Sequence, residues 1–290
     1  MTVTDVNVVK SAIFERPDDA NKGTLGSLLC VCGSYGMAGA AVMSAKGALR
    51  TGIGLAKCAL PRSIYPIVAQ TILESVYYPL SENADGRISK VNIPFLVSES
   101  CKSSATLVGC GLGVCDDTLK IVFSLIENST TPLVLDADAL NCVAKQPKIL
   151  LRKKAQIIIT PHPGEMSRLT GLATPLVNAE RERVALDFAQ KYGVVTVLKG
   201  AGTVIASPNG KVLVNPTGNS GMATGGSGDV LTGIIAGLAA QGISVQEAAL
   251  AGVYMHGLAG DLASKGIIGM AAGEISQYLP QARRIIEQGE

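Results

Sequence analysis

Tryptophan is absent from these 290 residues, and only four phenylalanines and seven tyrosines occur. A chain this poor in large rings must fill its interior with aliphatic side chains and close backbone contact. Clustered positive charge is missing too: no Lys/Arg run exceeds three residues, and the formal net charge is +2. Nucleic acid and anionic membrane are therefore not expected partners. No apolar stretch reaches spanning length without charged or turn residues, and the polar N-terminus carries no basic-then-apolar signal. The seven cysteines are odd in number and form no pair of C-x-x-C motifs. They read as small buried hydrophobes in a reducing compartment, so a cytoplasmic location is expected. G-x-G-x-x-G and Walker A loops are both lacking, which removes the two standard nucleotide fingerprints.

What is abundant is small and apolar. Hydrophobic residues make up 47%, mean hydropathy is +0.33, and glycine occurs 33 times. Short apolar runs at 27–33, 54–61, 105–111, 132–138, 155–161 and 194–200 read as strands. Helical patterns lie between several of them, notably at 37–52, 116–129 and 176–193. That alternation predicts an α/β fold with a largely parallel central sheet and helices on both faces. A hairpin is predicted over 203–215, turning at Pro208-Asn209-Gly210. The last third reads as helical, from Gly228 to about Tyr278. No repeat or linker interrupts the chain, so a single domain over 1–290 is expected.

Ligands of such sheets bind beyond the carboxyl ends of the strands, and unusual sequences follow several runs. Gly225, Gly226, Ser227 and Gly228 lead into a helical pattern whose early position holds Asp229. Free backbone N–H groups there would form an anion hole, and Asp229 could take a proton from an attacking hydroxyl. The plainer alternative makes Asp229 a first-turn acid and the glycines a loose connection. Lys199 and the glycines after it could admit a nucleotide, or form a tight turn with Lys199 solvated. His162 and Glu165 follow another strand. Asp136, Asp138 and Asn141 follow a third, one aspartate being expected to cap the next helix and Asn141 able to face a ligand. His256, within a small-residue helix, reads as structural.

The stretches "NKGTLGSLLCVCGSYGMAGAA" (21–41), "GCGLG" (109–113), "VLDADALN" (134–141), "TPHPGE" (160–165), "LKGAGTVIA" (198–206) and "NSGMATGGSGDVLTGIIAGL" (219–238) occur in one order. Together they resemble the ADP/ATP-dependent NAD(P)H-hydrate dehydratases of the ribokinase-like superfamily. The resemblance implies repair of hydrated NADH or NADPH. ADP or ATP phosphorylates the hydrate hydroxyl in the presence of Mg2+, phosphate leaves, and the ring double bond returns. It implies Asp229 as general base and residues 225–228 as the hole for the phosphoryl group. Lys199, Gly200, Ala201, Gly202, Thr203 and Gly228 match nucleotide contacts. Ala41, Gly113 and His162 match substrate contacts, and Glu165 stands where the superfamily places a magnesium-associated acid. Cys110 replaces the proline usual in the second loop, loosening the turn without removing a polar group. A homo-oligomer is expected, together with functional cooperation with a separate epimerase for the other hydrate isomer. The competing reading is a small-alcohol kinase of the same superfamily, of hydroxymethylpyrimidine or hydroxyethylthiazole type.

Overall fold

The structure, a computed structural model, describes residues 3–13, 16–264 and 269–289. Nine strands run through it: β1 (Ser27–Val31), β2 (Leu55–Pro61), β3 (Val76–Leu80), β4 (Ala105–Val108), β5 (Leu133–Leu135), β6 (Ile157–Ile159), β7 (Val195–Leu198), β8 (Val204–Ala206) and β9 (Val212–Val214). They form one sheet in the order β3-β2-β1-β4-β5-β6-β7-β8-β9. The first seven are parallel, and β8 and β9 return antiparallel as the expected hairpin. Strands β4 to β7 are buried at every position, which is why they read as unbroken apolar runs.

The helices are α1 (Val6–Ala12), α2 (Ala38–Leu49), α3 (Tyr65–Thr71), α4 (Ile93–Lys102), α5 (Asp116–Asn128), α6 (Asp138–Lys145), α7 (Pro163–Thr170), α8 (Thr174–Ala179), α9 (Arg181–Tyr192), α10 (Ser227–Ala240), α11 (Val245–Ala263) and α12 (Ala272–Gln288). Alternate strand residues face opposite ways. Leu28, Cys30, Val134, Ile158 and Val197 pack with α2, α10, α11 and α12, while Leu29, Val31, Leu135, Ile159 and Leu198 pack with α5, α6, α7 and α9. Helices thus cover both faces, as the alternation of runs predicted. Close packing replaces the missing rings: a Cβ on Gly233 of α10 would lie 2.0 Å from the Ser44 carbonyl oxygen of α2.

Two features depart from the sequence reading. β3 was not anticipated; it is an edge strand, half exposed, with Pro79 inside it, so it lacks a buried run's signature. The helix expected over 176–193 is two helices, broken at Glu180 (φ −125°, ψ 42°). The break starts α9 at Arg181, whose guanidinium donates to the Leu198 carbonyl at 2.8 Å.

The strand order places the site. From β1 the chain goes outward to β2 and β3, then returns to β4 on the other side of β1. The loops after β1 and β4 therefore diverge and open a crevice at this switch point. They stay tied at its base, where the Gly33 amide donates to the Cys110 carbonyl at 2.8 Å.

Candidate active site

Helix α10 starts over this end of the sheet. Gly226 precedes it at φ +92°, a conformation that strains any side-chain-bearing residue. Ser227 donates its amide to the Thr224 carbonyl at 3.3 Å; among the described residues, the amides of Gly225, Gly226, Gly228 and Asp229 meet no protein acceptor. Free donors at the positive end of a helix dipole make an anion site. Asp229 is the third residue of α10. Burial pushes its carboxyl up to about 6 and Asp136 adds to the rise, while the Cys110 thiol and Lys199 pull the other way.

A charged floor lies beneath. Asp136, only 1% exposed at the end of β5, accepts from Lys199 Nζ at 2.6 Å through Oδ1 and from the Thr232 hydroxyl at 2.6 Å through Oδ2. Lys199 Nζ also lies 3.8 Å from Glu165 Oε2. Burial would lower the lysine's proton affinity, but Asp136 and Glu165 outweigh it and hold it raised. Lys199 is thus a partly buried cation between two acids, not a freely solvated side chain. Ala137, at φ 48°, is the only non-glycine with positive φ among the described residues. It lets Asp136 point down while Asp138 turns to accept the Gly113 amide at 2.8 Å. Neither aspartate side chain caps α6, contrary to the expectation for one of them.

His162 caps α7. Its Nδ1 accepts the Gly164 and Glu165 amides at 3.0 and 3.4 Å, and Glu165 Oε2 accepts the His162 amide at 2.8 Å. This leaves the ring proton on Nε2, 3.5 Å from Glu165 Oε1. Burial, then Lys199 and Arg168, lower His162, so the ring is neutral. Burial raises Glu165, and Asp136 reinforces it against Lys199. Asn141 donates to Asp138 at 3.3 Å and accepts from Arg168. Ala41 is buried, beneath Gly33.

A cavity of about 700 Å3 opens beside this floor. Lys199, Gly200, Ala201, Gly202, Thr203, Ser227, Gly228 and His162 line it, together with Leu231, Val253, His256 and residues of the 215–223 segment. Asp261 fixes that segment to α11, accepting the Gly218 amide at 2.8 Å and the Asn219 side chain at 2.7 Å. Arg181 supports the other wall, its Nη1 2.7 Å from where a Cβ on Gly200 would stand. Apolar floor residues beside a glycine-lined wall suit a flat heteroaromatic base. A hollow of about 400 Å3 at the opposite sheet end holds no ionisable side chain. His256, read as structural, lines the cavity with Nε2 3.4 Å from the Ser227 hydroxyl. Burial pushes it down to about 4. Asp136, Thr232, Arg181 and His256 stood outside the set read from sequence. Only Asp136 had a signal there, as an acid just past an apolar run.

Comparisons with known proteins place the chain among its relatives. The family model described as "NAD(P)H-hydrate dehydratase" matches residues 28–281. The bifunctional NAD(P)H-hydrate repair enzyme Nnr of Moorella thermoacetica is 40% identical over 281 residues, 96% of this chain and 53% of its own. The chain thus spans about half the length of that relative. The ADP-dependent (S)-NAD(P)H-hydrate dehydratase of Neisseria meningitidis serogroup B is 38% identical over 92% of this chain and 87% of its own. The crystal structure of the ADP/ATP-dependent NAD(P)H-hydrate dehydratase from Bacillus subtilis, co-crystallised with ATP/Mg2+, superposes with a TM-score of 0.84 at 31% identity, covering 99% of both chains. The ribokinase-like α/β architecture is therefore established, and the chain belongs to the NAD(P)H-hydrate dehydratase family.

Proposed function

We propose that the protein restores NADH and NADPH from the S-form of their hydrates, using ADP or ATP as phosphoryl donor. The observation that carries this reading is Asp229, raised toward neutrality and set among free helix-mouth amides beside a nucleotide-sized cavity. The nucleotide lies against Lys199, Gly200, Ala201, Gly202, Thr203 and Gly228. The free amides of Gly225, Gly226 and Gly228 hold the transferring phosphoryl group, with Ser227 shaping the turn. Asp229 takes the proton from the hydrate hydroxyl as its oxygen bonds to phosphorus and the bond to the nucleotide breaks. Phosphate then leaves with the carbon–oxygen bonding pair, a proton leaves the adjacent ring carbon to solvent, and the double bond returns. Ala41, Gly113, Asn141 and His162 bound the substrate side.

The residues present fit a nucleotide-borne Mg2+. Asp136, Glu165 and Asp229 outnumber Lys199 at the floor, and among the described residues Glu165 Oε1 has only His162 Nε2 as partner. Mg2+ is commonly held by one or two carboxylates plus phosphates. Glu165 would face it, and the ion would supply charge neutralisation on the phosphates.

Seven free thiols suit a reducing compartment, and we place the activity in the cytoplasm. Among the described residues, no helix is long and apolar enough to cross a membrane. Residues 1–290 act as one catalytic domain, assembling as a homo-oligomer and working with an epimerase activity; bifunctional relatives bear the name of a repair enzyme. The test incubates purified protein with hydrated NADH or NADPH, Mg2+ and each nucleotide in turn. Recovery of reduced-nicotinamide absorbance with phosphate release supports the reading. Accumulation of a phosphorylated alcohol without recovery would instead mark a kinase.

A further inference from the structure

The turn 83–87, between β3 and α4, touches both loops that bound the crevice. Asn83 closes it: its Oδ1 accepts the Asp85 and Arg87 amides at 3.1 Å each, and its amide donates to the Arg87 carbonyl at 2.9 Å. On one side the Tyr35 amide, in the loop after β1, donates to the Gly86 carbonyl at 2.9 Å. On the other side the Arg87 side chain lies over Gly113, in the loop after β4. A Cβ on Gly113 would collide with Arg87 Nε and stand 2.8 Å from its Cδ. Gly113 is at φ +75°, so backbone conformation and space both call for glycine beneath the arginine.

Arg87 Nη1 donates to Asp85 Oδ2 at 2.9 Å, and that partner's side chain is 65% exposed. Among the described residues no other acceptor meets the guanidinium. A solvent-facing pair of this kind is weak, and most of the fork's five N–H groups stay free. The turn 109–113, closed by the Leu112 amide on the Gly109 carbonyl at 3.1 Å, leads from Cys110 to Gly113. Cys110 Sγ lies within 4.8 Å of an Asp229 carboxylate oxygen, and three residues cover at most about 10 Å of backbone. A dinucleotide with its ring hydroxyl at Asp229 is long enough to reach Arg87.

We propose that Arg87 binds a phosphate of the dinucleotide substrate: the pyrophosphate that both hydrates share, or the 2′-phosphate of NADPH hydrate alone. This inference rests on the reading of the protein as a dehydratase of hydrated NADH and NADPH. A guanidinium fork matches two phosphate oxygens, and Gly113 holds this one at the substrate side of the crevice. The donor cavity lies elsewhere, beside residues 199–203, so Arg87 acts on the hydrate and not on the phosphoryl donor.

Steady-state kinetics with each hydrate tests it. Arg87→Met keeps an apolar stem over Gly113 and removes the fork. It is expected to raise the hydrate KM on the order of tenfold and to leave kcat and the donor KM within about twofold. Arg87→Lys, a point charge without the fork, should recover part of the loss. A loss with both hydrates assigns the pyrophosphate, and a loss with NADPH hydrate alone assigns the 2′-phosphate. Asp85→Ala, which frees the guanidinium, should leave the hydrate KM unchanged or lower it. A hydrate KM unmoved in Arg87→Met, or a donor KM that rises equally, overturns the proposal. So does an Asp85→Ala variant that reproduces the Arg87→Met loss, since Arg87 would then only tie the turn. If the wild type restores no coenzyme with either donor, the dehydratase reading fails, and titration calorimetry with NADH and NADPH decides Arg87 by itself. Weaker binding in Arg87→Met than in wild type supports the phosphate contact; equal affinity or absent binding overturns it.

Discussion

The mouth of α10 and the floor beneath it each hold an aspartate, and the two side chains approach within 4.8 Å. Their environments diverge. Asp136 is the more buried, yet an ammonium and a hydroxyl saturate it. Asp229 is half-buried among bare amides and a thiol, and its carboxyl is held near 6. Burial paired with a cation makes a structural anion; burial left unpaired makes a base poised near neutral pH. The difference lies in partners, since the residue type and the crevice are shared.

The contrast breaks most sharply if the two acids are exchanged in role. Asp229→Ala should fold with a melting temperature no lower than wild type and lose on the order of 10²–10⁴-fold in coenzyme recovery. Near-normal turnover would remove Asp229 as the base. Lys199→Met instead strands Asp136 as a buried, uncompensated charge and should cost about 3–5 kcal/mol in denaturant unfolding. Asp136→Asn/Lys199→Met should recover part of that loss, because Asp136 no longer carries a lone charge while Glu165 still lacks the lysine. A double variant as unstable as Lys199→Met would show that the pair matters for its packing instead.

A pH experiment sharpens the comparison further. The folded-state value of Asp229, about 6, lies above its unfolded value of 3.8, so ionising it costs folding stability at neutral pH. The stability it contributes is full below pH 3.8 and is lost as pH rises through about 6. Asp229→Asn should therefore be more stable than wild type by on the order of 1–2 kcal/mol at neutral pH. The gain should fade as pH drops through 6 toward 4. A gain that is constant with pH would trace to packing. Turnover of the wild type should fall on the acid side through the same interval, the base being protonated there.

The smallest expected effects separate two glycines of one helix. Gly233→Ala meets the Ser44 carbonyl at 2.0 Å and should cost about 1–3 kcal/mol of stability. Gly228→Ala meets the flexible end of the Lys199 side chain, Nζ at 3.4 Å and Cε at 4.0 Å, and should leave thermal stability within about 0.5 kcal/mol. Its readout is a rise in the nucleotide KM, since the new methyl group stands at the mouth. Equal stability losses at both sites would mean that the mouth is packed like the helix body.

Much of this arrangement was legible in the residues. Continuous aliphatic runs give parallel strands buried on both faces, and Pro208-Asn209-Gly210 gives the hairpin. Glycine after glycine before an apolar helical stripe marks a helix mouth where backbone is exposed. Edge strand β3 was hidden, because a half-exposed strand with tyrosines and a proline shares no periodicity with the buried ones. The break at Glu180 was hidden because its reason, Arg181 reaching Leu198, belongs to another strand. His256 read as filler because helix spacing says nothing about which cavity the helix borders.

The linear order of amino acids by itself determined the layers, the direction of the sheet, the glycine mouth and the carboxylate standing in it. Those depend on local periodicity and on backbone freedom, and both are written within a few residues. The pairing of Asp136 with Lys199 and Thr232 and the opening of the crevice were decided only by tertiary structure. They depend on β4, β5, β6 and β7 standing in that order across the sheet, which brings together residues 63 and 96 positions apart, and no short-range pattern encodes that order.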